Sequence, residues 1–319
     1  MEKKKLEFFI DMPIKSYNFT AYMGGVLFAN NQLWRPYYLS KHILLSCNDL
    51  FDVICDDMIM YEDEDVFERK KFHFEVEEVV ELRADLISKI DEEFYASVTV
   101  DEMYISCRKA FNTKSFYHDL LIFGYDLNKN IFYTAGYDDT GYFSCKEHDI
   151  DVVVASILSC LKGRKSKPHC HYFRSKSQYM DFSLGEVKNT LEKYLLSEPV
   201  NQQSYHGEYG LLAYKKLIEK HTSATKEGKM LRRATFSMLL EHKKLMVERV
   251  NYINTNCVKI DLETINMFEK IVELTKILQL HSIKHEVTGS EKIGLGMIKK
   301  IEAIAELERL AISELVEQI

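Results

Sequence analysis

The chain has 319 residues, too long for one ordinary core and suited to two domains. Hydrophobic content of 46% with 29% charged residues excludes wholesale disorder. A net charge of -7 excludes a nucleic-acid backbone as the main partner, because phosphate binding needs a basic surface. Glycine and proline are scarce at 13 and 4, which favours long uninterrupted elements. The cysteines number seven, an odd count without a CxxC pair, and such usage fits reduced thiols in a cytoplasmic protein. The basic start at Met1-Glu2-Lys3-Lys4-Lys5 leads to Glu7 and Asp11, so no signal peptide is expected. No stretch approaches the roughly 18 apolar residues of a membrane span, and no membrane association is expected.

Residues 6–10 read as a short strand broken by Asp11-Met12-Pro13. Apolar and aromatic residues at helical spacing, interrupted at Asn30-Asn31 and Pro36, predict buried helices over 20–30 and 36–46. The charged stretch 56–71, with Glu62-Asp63-Glu64-Asp65 at its centre, reads as a solvated loop or helix face rather than a metal site. Val79, Val80, Leu82, Leu86, Ile87 and Ile90 predict a helix over 77–93. Period-two alternation with β-branched residues predicts a strand over 95–105. The continuous apolar run 120–125 predicts a central strand buried on both faces, with partner strands at 131–134 and 141–145. Gly163-Arg164-Lys165-Ser166-Lys167-Pro168 is the clearest linker, followed by one short strand near 170–174.

Everything beyond is expected to be helical. Ser183, with Glu186 three residues on, caps a helix at 184–196. Further helices are predicted at 208–222, 228–253, 261–282 and 291–317, packing as an antiparallel bundle. The fold class is therefore α+β. Helices packed on an antiparallel sheet fill residues 1–165, and an all-α bundle fills 166–319.

The segment most informative about chemistry is Tyr117-His118-Asp119-Leu120-Leu121-Ile122-Phe123-Gly124-Tyr125-Asp126, followed by Ile131-Phe132-Tyr133-Thr134-Ala135-Gly136. A histidine just before a buried strand is fixed at a sheet edge, where it can move protons near neutral pH or hydrogen-bond a neighbouring backbone. Other constellations are weaker. His169-Cys170-His171 would hold a metal only with distant ligands, since neighbours on a strand point to opposite faces. His281 and His285 read as a solvated pair at a helix end, and Gly294 with Gly296 lacks the rest of a nucleotide loop. No metal and no cofactor are called for.

The string HDLLIFGYD with FYTAGY resembles the histidine strand of the butirosin-biosynthesis-H-like and peptidase C39-like families, which share a papain-like fold. The segments 209–214, 241–243 and 248–249 resemble the helical half of that group. The resemblance implies acyl or aminoacyl transfer on carrier-protein-tethered intermediates in nonribosomal peptide or antibiotic biosynthesis. There a cysteine takes the acyl group from a thioester and passes it to an amine. It implies an acyl or peptidyl carrier protein and a small amine or aminoacyl substrate as partners. His118 matches the family's histidine. The family's cysteine belongs at the start of the first buried helix, where this chain has Ser16-Tyr17-Asn18-Phe19-Thr20-Ala21-Tyr22 and no cysteine.

Three repairs follow. Thr20 or Ser16 serves as nucleophile, Cys47 does, or there is no covalent step and His118 acts with Asp101 or Asp138. In the catalytic reading Asp138 orients His118, while Asp101 and Tyr104 bind an amine. Trp34 fills the core or lines a substrate cleft, and Tyr22 occupying the nucleophile's space would favour binding. The alternative is a catalytically inactive papain-like module that binds a carrier protein or small product. An uncovered apolar helical face would mark a carrier-protein or homodimer surface.

Overall fold

A computed structural model describes residues 1–29, 34–50, 52–60, 62–72, 79–163, 170–177, 179–200 and 207–319. Asn30-Asn31, residues 77–78, and 164–169 with most of the linker and His169 lie outside the described residues. The chain is α+β, with an antiparallel sheet and a helical C-terminal part. It divides into two compact units, each discontinuous in sequence. The first comprises 1–12, 18–33 and 60–179; the second comprises 13–17, 34–59 and 180–319. The expected single cut at 165 differs from this division, because residues 34–59 pair and pack with the helical part.

The first unit is built on an antiparallel sheet. Its strands are β1 (Lys3–Lys5), β4 (Phe67–Phe72), β5 (Tyr95–Asp101), β6 (Tyr117–Asp126), β7 (Ile131–Tyr137), β8 (Phe143–Asp149) and β9 (Cys170–Ser175), in the order β4-β9-β5-β6-β7-β8. β1 pairs with the far end of β6, past a register shift between Ile122 and Gly124. Alternation on β5 puts Ala96, Val98 and Val100 into one core with Leu120 and Ile122 of β6. Two helices close that face. α3 (Val79–Asp91) contributes Leu82, Leu86 and Ile90, and α4 (Ile150–Gly163) contributes Ile150, Val153, Val154 and Ile157.

α4 has no counterpart among the sequence expectations. Its Val152-Val153-Val154 run carries β propensity, which the three-four spacing of its buried residues overrides. On the opposite face lies α1 (Asn18–Ala29), buried along almost its whole length. Gly25 is the point of close approach there, since a Cβ would run into the Phe8 ring.

Three expected elements are corrected. The first strand is Lys3–Lys5 rather than 6–10, because it is residues 3–5 that stand in register with Asp126, Tyr125 and Gly124 of β6. Within 56–71, β4 replaces the expected solvated face. Phe67 is buried against Phe173, and its charged neighbours suit an edge strand, with Glu68 bound to Arg174. The helix expected at 36–46 shrinks to α2 (Arg35–Tyr38), followed by a hairpin of β2 (Leu45–Asn48) and β3 (Asp52–Cys55). His42 takes a positive φ of 59°, and the Asp57 carboxylate captures the N–H groups of Ile43 and Leu44 at 2.8 Å each. A helix cannot continue through either feature.

Among the described residues the second unit holds α2, that hairpin, a third strand β10 (Gly207–Tyr209) on β2, and five longer helices: α5 (Leu184–Leu196), α6 (Gly210–Lys226), α7 (Arg233–Asn256), α8 (Leu262–Thr288) and α9 (Glu291–Gln318). Ser183 caps α5 by accepting from the Glu186 N–H. A buried polar network ties four helices together. Glu308 of α9 accepts from Lys243 of α7 at 2.6 and 2.9 Å, from Tyr194 of α5 at 2.8 Å and from Tyr214 of α6 at 2.5 Å. Lys243 also meets His242 Nδ1 at 3.0 Å, and His242 Nε2 donates to the Ile43 carbonyl at 2.8 Å. Burial holds the His242 imidazole far below its ordinary range, so it stays neutral and accepts from the ammonium. Among the described residues no helix is long and apolar enough to cross a membrane.

Lys243→Ala strands the fully buried Glu308 carboxylate and is expected to cost about 3–5 kcal/mol in urea unfolding. Lys243→Met combined with Glu308→Gln leaves the tyrosines a neutral acceptor and should recover most of that loss. A single-variant loss below about 1 kcal/mol would show that the pair is solvated instead.

Candidate functional site

The site grows from the end of the β5–β6 hairpin, where Val100 stands opposite His118 and Asp101 opposite Tyr117. Asp101 is fully buried there. Its Oδ1 accepts from the N–H groups of Met103 at 3.2 Å and Phe116 at 3.1 Å, and its Oδ2 accepts from Ser159 Oγ at 3.0 Å. These bonds cap a single 3-10 turn, Glu102–Tyr104, which holds Glu102 beside the histidine. Glu102 Oε1 lies 2.9 Å from His118 Nδ1.

Arg108 completes the support. Its Nη1 lies 3.5 Å from Glu102 Oε1 and donates to the Tyr137 carbonyl. Both side chains of this pair are buried, so the guanidinium meets the carboxylate with little solvent between them. Gly136 makes room for it, because a Cβ at that position would collide with the guanidinium. His118 itself keeps 40% of its side chain exposed, with the Phe116 ring edge-on at 5.8 Å.

The other imidazole nitrogen faces the start of α1. Asn18 Nδ2 lies 3.3 Å from His118 Nε2 and also donates to the Asp119 carbonyl at 3.2 Å. With Nδ1–H donated to Glu102, Nε2 carries the lone pair that accepts from the amide. Asn18 is the first residue of α1 and is 6% exposed, yet among the described residues its Oδ1 has no hydrogen-bond partner. A buried orphan acceptor costs about 1–3 kcal/mol unless a donor reaches it.

The residues expected from sequence fall in different places. Thr20 is buried within α1, and the residue at the imidazole is Asn18 rather than Thr20. Tyr22 donates its hydroxyl to the Asp119 carbonyl at 3.0 Å. The acid at His118 is Glu102 rather than Asp138. Asp138 Oδ1 instead accepts from Thr140 N at 3.0 Å, Thr140 Oγ1 at 2.5 Å and Tyr142 N at 3.1 Å, closing its own turn. The threonine hydroxyl bond holds its carboxyl below the usual range. Asp101, expected to bind an amine, is consumed by the turn described above, while Tyr104 stands 39% exposed on that turn.

Ser16, Trp34 and Cys47 belong to the second unit. There Ser16 Oγ donates to Glu241 at 2.7 Å, Trp34 is wholly buried against Tyr37, and burial pushes the Cys47 thiol up to about 12. Glu102, Asn18 and Arg108 were not singled out from sequence. Counting the hairpin register one residue past Asp101 is the signal that finds Glu102, and starting α1 two residues earlier finds Asn18.

A second sulfur lies in the first unit. Cys107 Sγ stands 3.6 Å from Nε2 of His148 on β8. Burial raises the thiol and lowers His148 to about 4, so the pair rests as thiol and neutral imidazole. Among the described residues no group of three or more histidine, cysteine or acidic side chains could hold a metal. No family model and no curated protein matches this chain.

Two outcomes follow. Glu102→Ala leaves the buried Arg108 cation without its carboxylate and should cost about 3 kcal/mol or more in denaturant unfolding; a cost under about 1 kcal/mol would mean Arg108 has turned to solvent. His148 has a folded value of about 4, below the unfolded value near 6.5. The unfolded chain therefore binds the extra proton between these values, and stability falls as pH drops through that window. The loss from about pH 7 to about pH 5 is on the order of 2 kcal/mol for this group. His148→Gln should flatten the slope by that amount; an unchanged slope would show that the imidazole titrates normally.

Proposed function

We propose that this chain is a papain-like module, related to the butirosin-biosynthesis-H-like group, that binds a carrier-protein-tethered acyl or aminoacyl ligand without forming a covalent intermediate. The supporting observation is Asn18. It stands at the first position of α1, 3.3 Å from His118 Nε2, where a papain-like enzyme needs its nucleophile. A carboxamide has neither the acidity nor the nucleophilicity to take an acyl group from a thioester. The rest of the arrangement suits recognition. Glu102 and Arg108 fix the imidazole, and the orphaned Asn18 Oδ1 offers an acceptor to an N–H or O–H of a ligand.

A second reading keeps acyl or aminoacyl transfer as turnover, with Cys107 as nucleophile and His148 as base. Their 3.6 Å separation favours it. The neutral resting state of both groups opposes it, because the thiolate is the reactive form.

Intact-mass measurement with an acyl-loaded carrier protein separates the two readings. On the binding reading the natural chain gains no acyl mass. Asn18→Cys gains one acyl group, and the added His118→Ala substitution removes that gain. An adduct on the natural chain that disappears in Cys107→Ala would replace the binding reading with the second one.

A further inference from the structure

We infer that the first unit carries a small-molecule site for a primary amine bearing an apolar group of about one ring, with Asp119 as its counter-ion. The site is a cavity of about 160 Å³ on the α1 face of the sheet. Strand register builds its polar floor. Ser97 of β5 pairs with His171 of β9, Thr99 stands opposite Asp119 of β6, and Ser97, Asp119 and His171 line the space. Their sequence neighbours Ala96, Val98, Leu120, Cys170 and Tyr172 face the core on the other side of the sheet, as strand alternation requires. The wall is apolar: Phe19, Tyr22 and Met23 from α1, with Met60.

Charge decides the class of ligand. Among the described residues Asp119 is the one carboxylate lining the cavity, and neither lysine nor arginine lines it. Among the described residues Asp119 enters no salt bridge, and its side chain takes a single hydrogen bond, from Thr99 Oγ1 at 3.3 Å. A half-exposed carboxylate facing a partly apolar space is stabilised by a cation that also hydrogen-bonds, and an ammonium does both. Ser97 Oγ is an acceptor for a further N–H group of the ammonium.

Size and wall decide the rest. A dry cavity of roughly 150 Å³ takes one benzene ring. Aromatic and thioether side chains favour such a ring and a cation beside it. The inference extends the binding reading by naming a ligand class, and it stands on a separate observation.

Calorimetry on the full chain near neutral pH tests it, with benzylamine as the probe and benzyl alcohol as its uncharged counterpart. The amine should bind at one site and the alcohol at least about tenfold more weakly, the loss of one charge-assisted hydrogen bond. Asp119→Asn should weaken the amine by a similar factor. Met23→Trp fills the cavity without touching the carboxylate and should abolish binding, which keeps the test decisive if Asp119→Asn folds poorly. Equal affinity for amine and alcohol, unchanged binding in Met23→Trp, or no saturable binding of benzylamine would overturn the assignment. Acylation of Asn18→Cys reports only on the proposed function, so the two ideas fail separately.

Discussion

Where β5 ends, a buried carboxylate takes three hydrogen bonds, two from backbone N–H groups and one from the Ser159 hydroxyl. Asp101 thereby turns the chain sharply enough that the next residue, Glu102, meets His118 across the hairpin. Without those bonds the two donors would be orphaned where water cannot reach them, so the turn has little freedom to relax. The imidazole orientation, its tautomer and the contact with Asn18 all descend from that constraint. Arg108 adds the opposite charge in a place of low dielectric, where one bond direction for Glu102 outweighs the others.

What this frame presents is a histidine of enzyme-like geometry facing an amide. The helix start supplies backbone N–H groups and a positive end, which in a papain-like enzyme would favour a thiolate. Here the same position holds a neutral donor and acceptor. Asn18 spends its two N–H groups on His118 and Asp119 and keeps its oxygen unspent. A carboxamide there offers hydrogen bonds and is no nucleophile. The unit therefore holds a positioned histidine without a nucleophile at its Nε2, and the adjoining cavity behind α1 adds room for a ligand.

Much of the architecture was legible in the sequence because its signals are local. The bundle helices follow from apolar residues three and four apart, and α5 begins at the capping serine that the Ser183–Glu186 spacing indicates. β5, β6 and β7 follow from β-branched alternation and a central apolar run. Where tertiary contacts outvote local preference, the reading failed. Residues 43–48 leave the helical path because Asp57 takes the N–H groups of Ile43 and Leu44, and α4 is helical despite its valine run. The site divides the same way. His118 announces itself by its place before a buried strand, whereas Glu102 reaches it only through strand register and a 3-10 turn. Asp138 looked suitable in sequence, yet its carboxylate closes its own turn.

The most direct test of this account is the tautomer of His118, read from the ¹⁵N shifts and long-range proton couplings of its imidazole at a pH where the ring is neutral. The account requires the proton on Nδ1, donated to Glu102, with Nε2 unprotonated and facing Asn18. In Asn18→Ala the proton should stay on Nδ1 while the Nε2 shift moves. A proton on Nε2 in the natural chain would contradict the account, because Asn18 would then not be the donor and Glu102 would not set the ring.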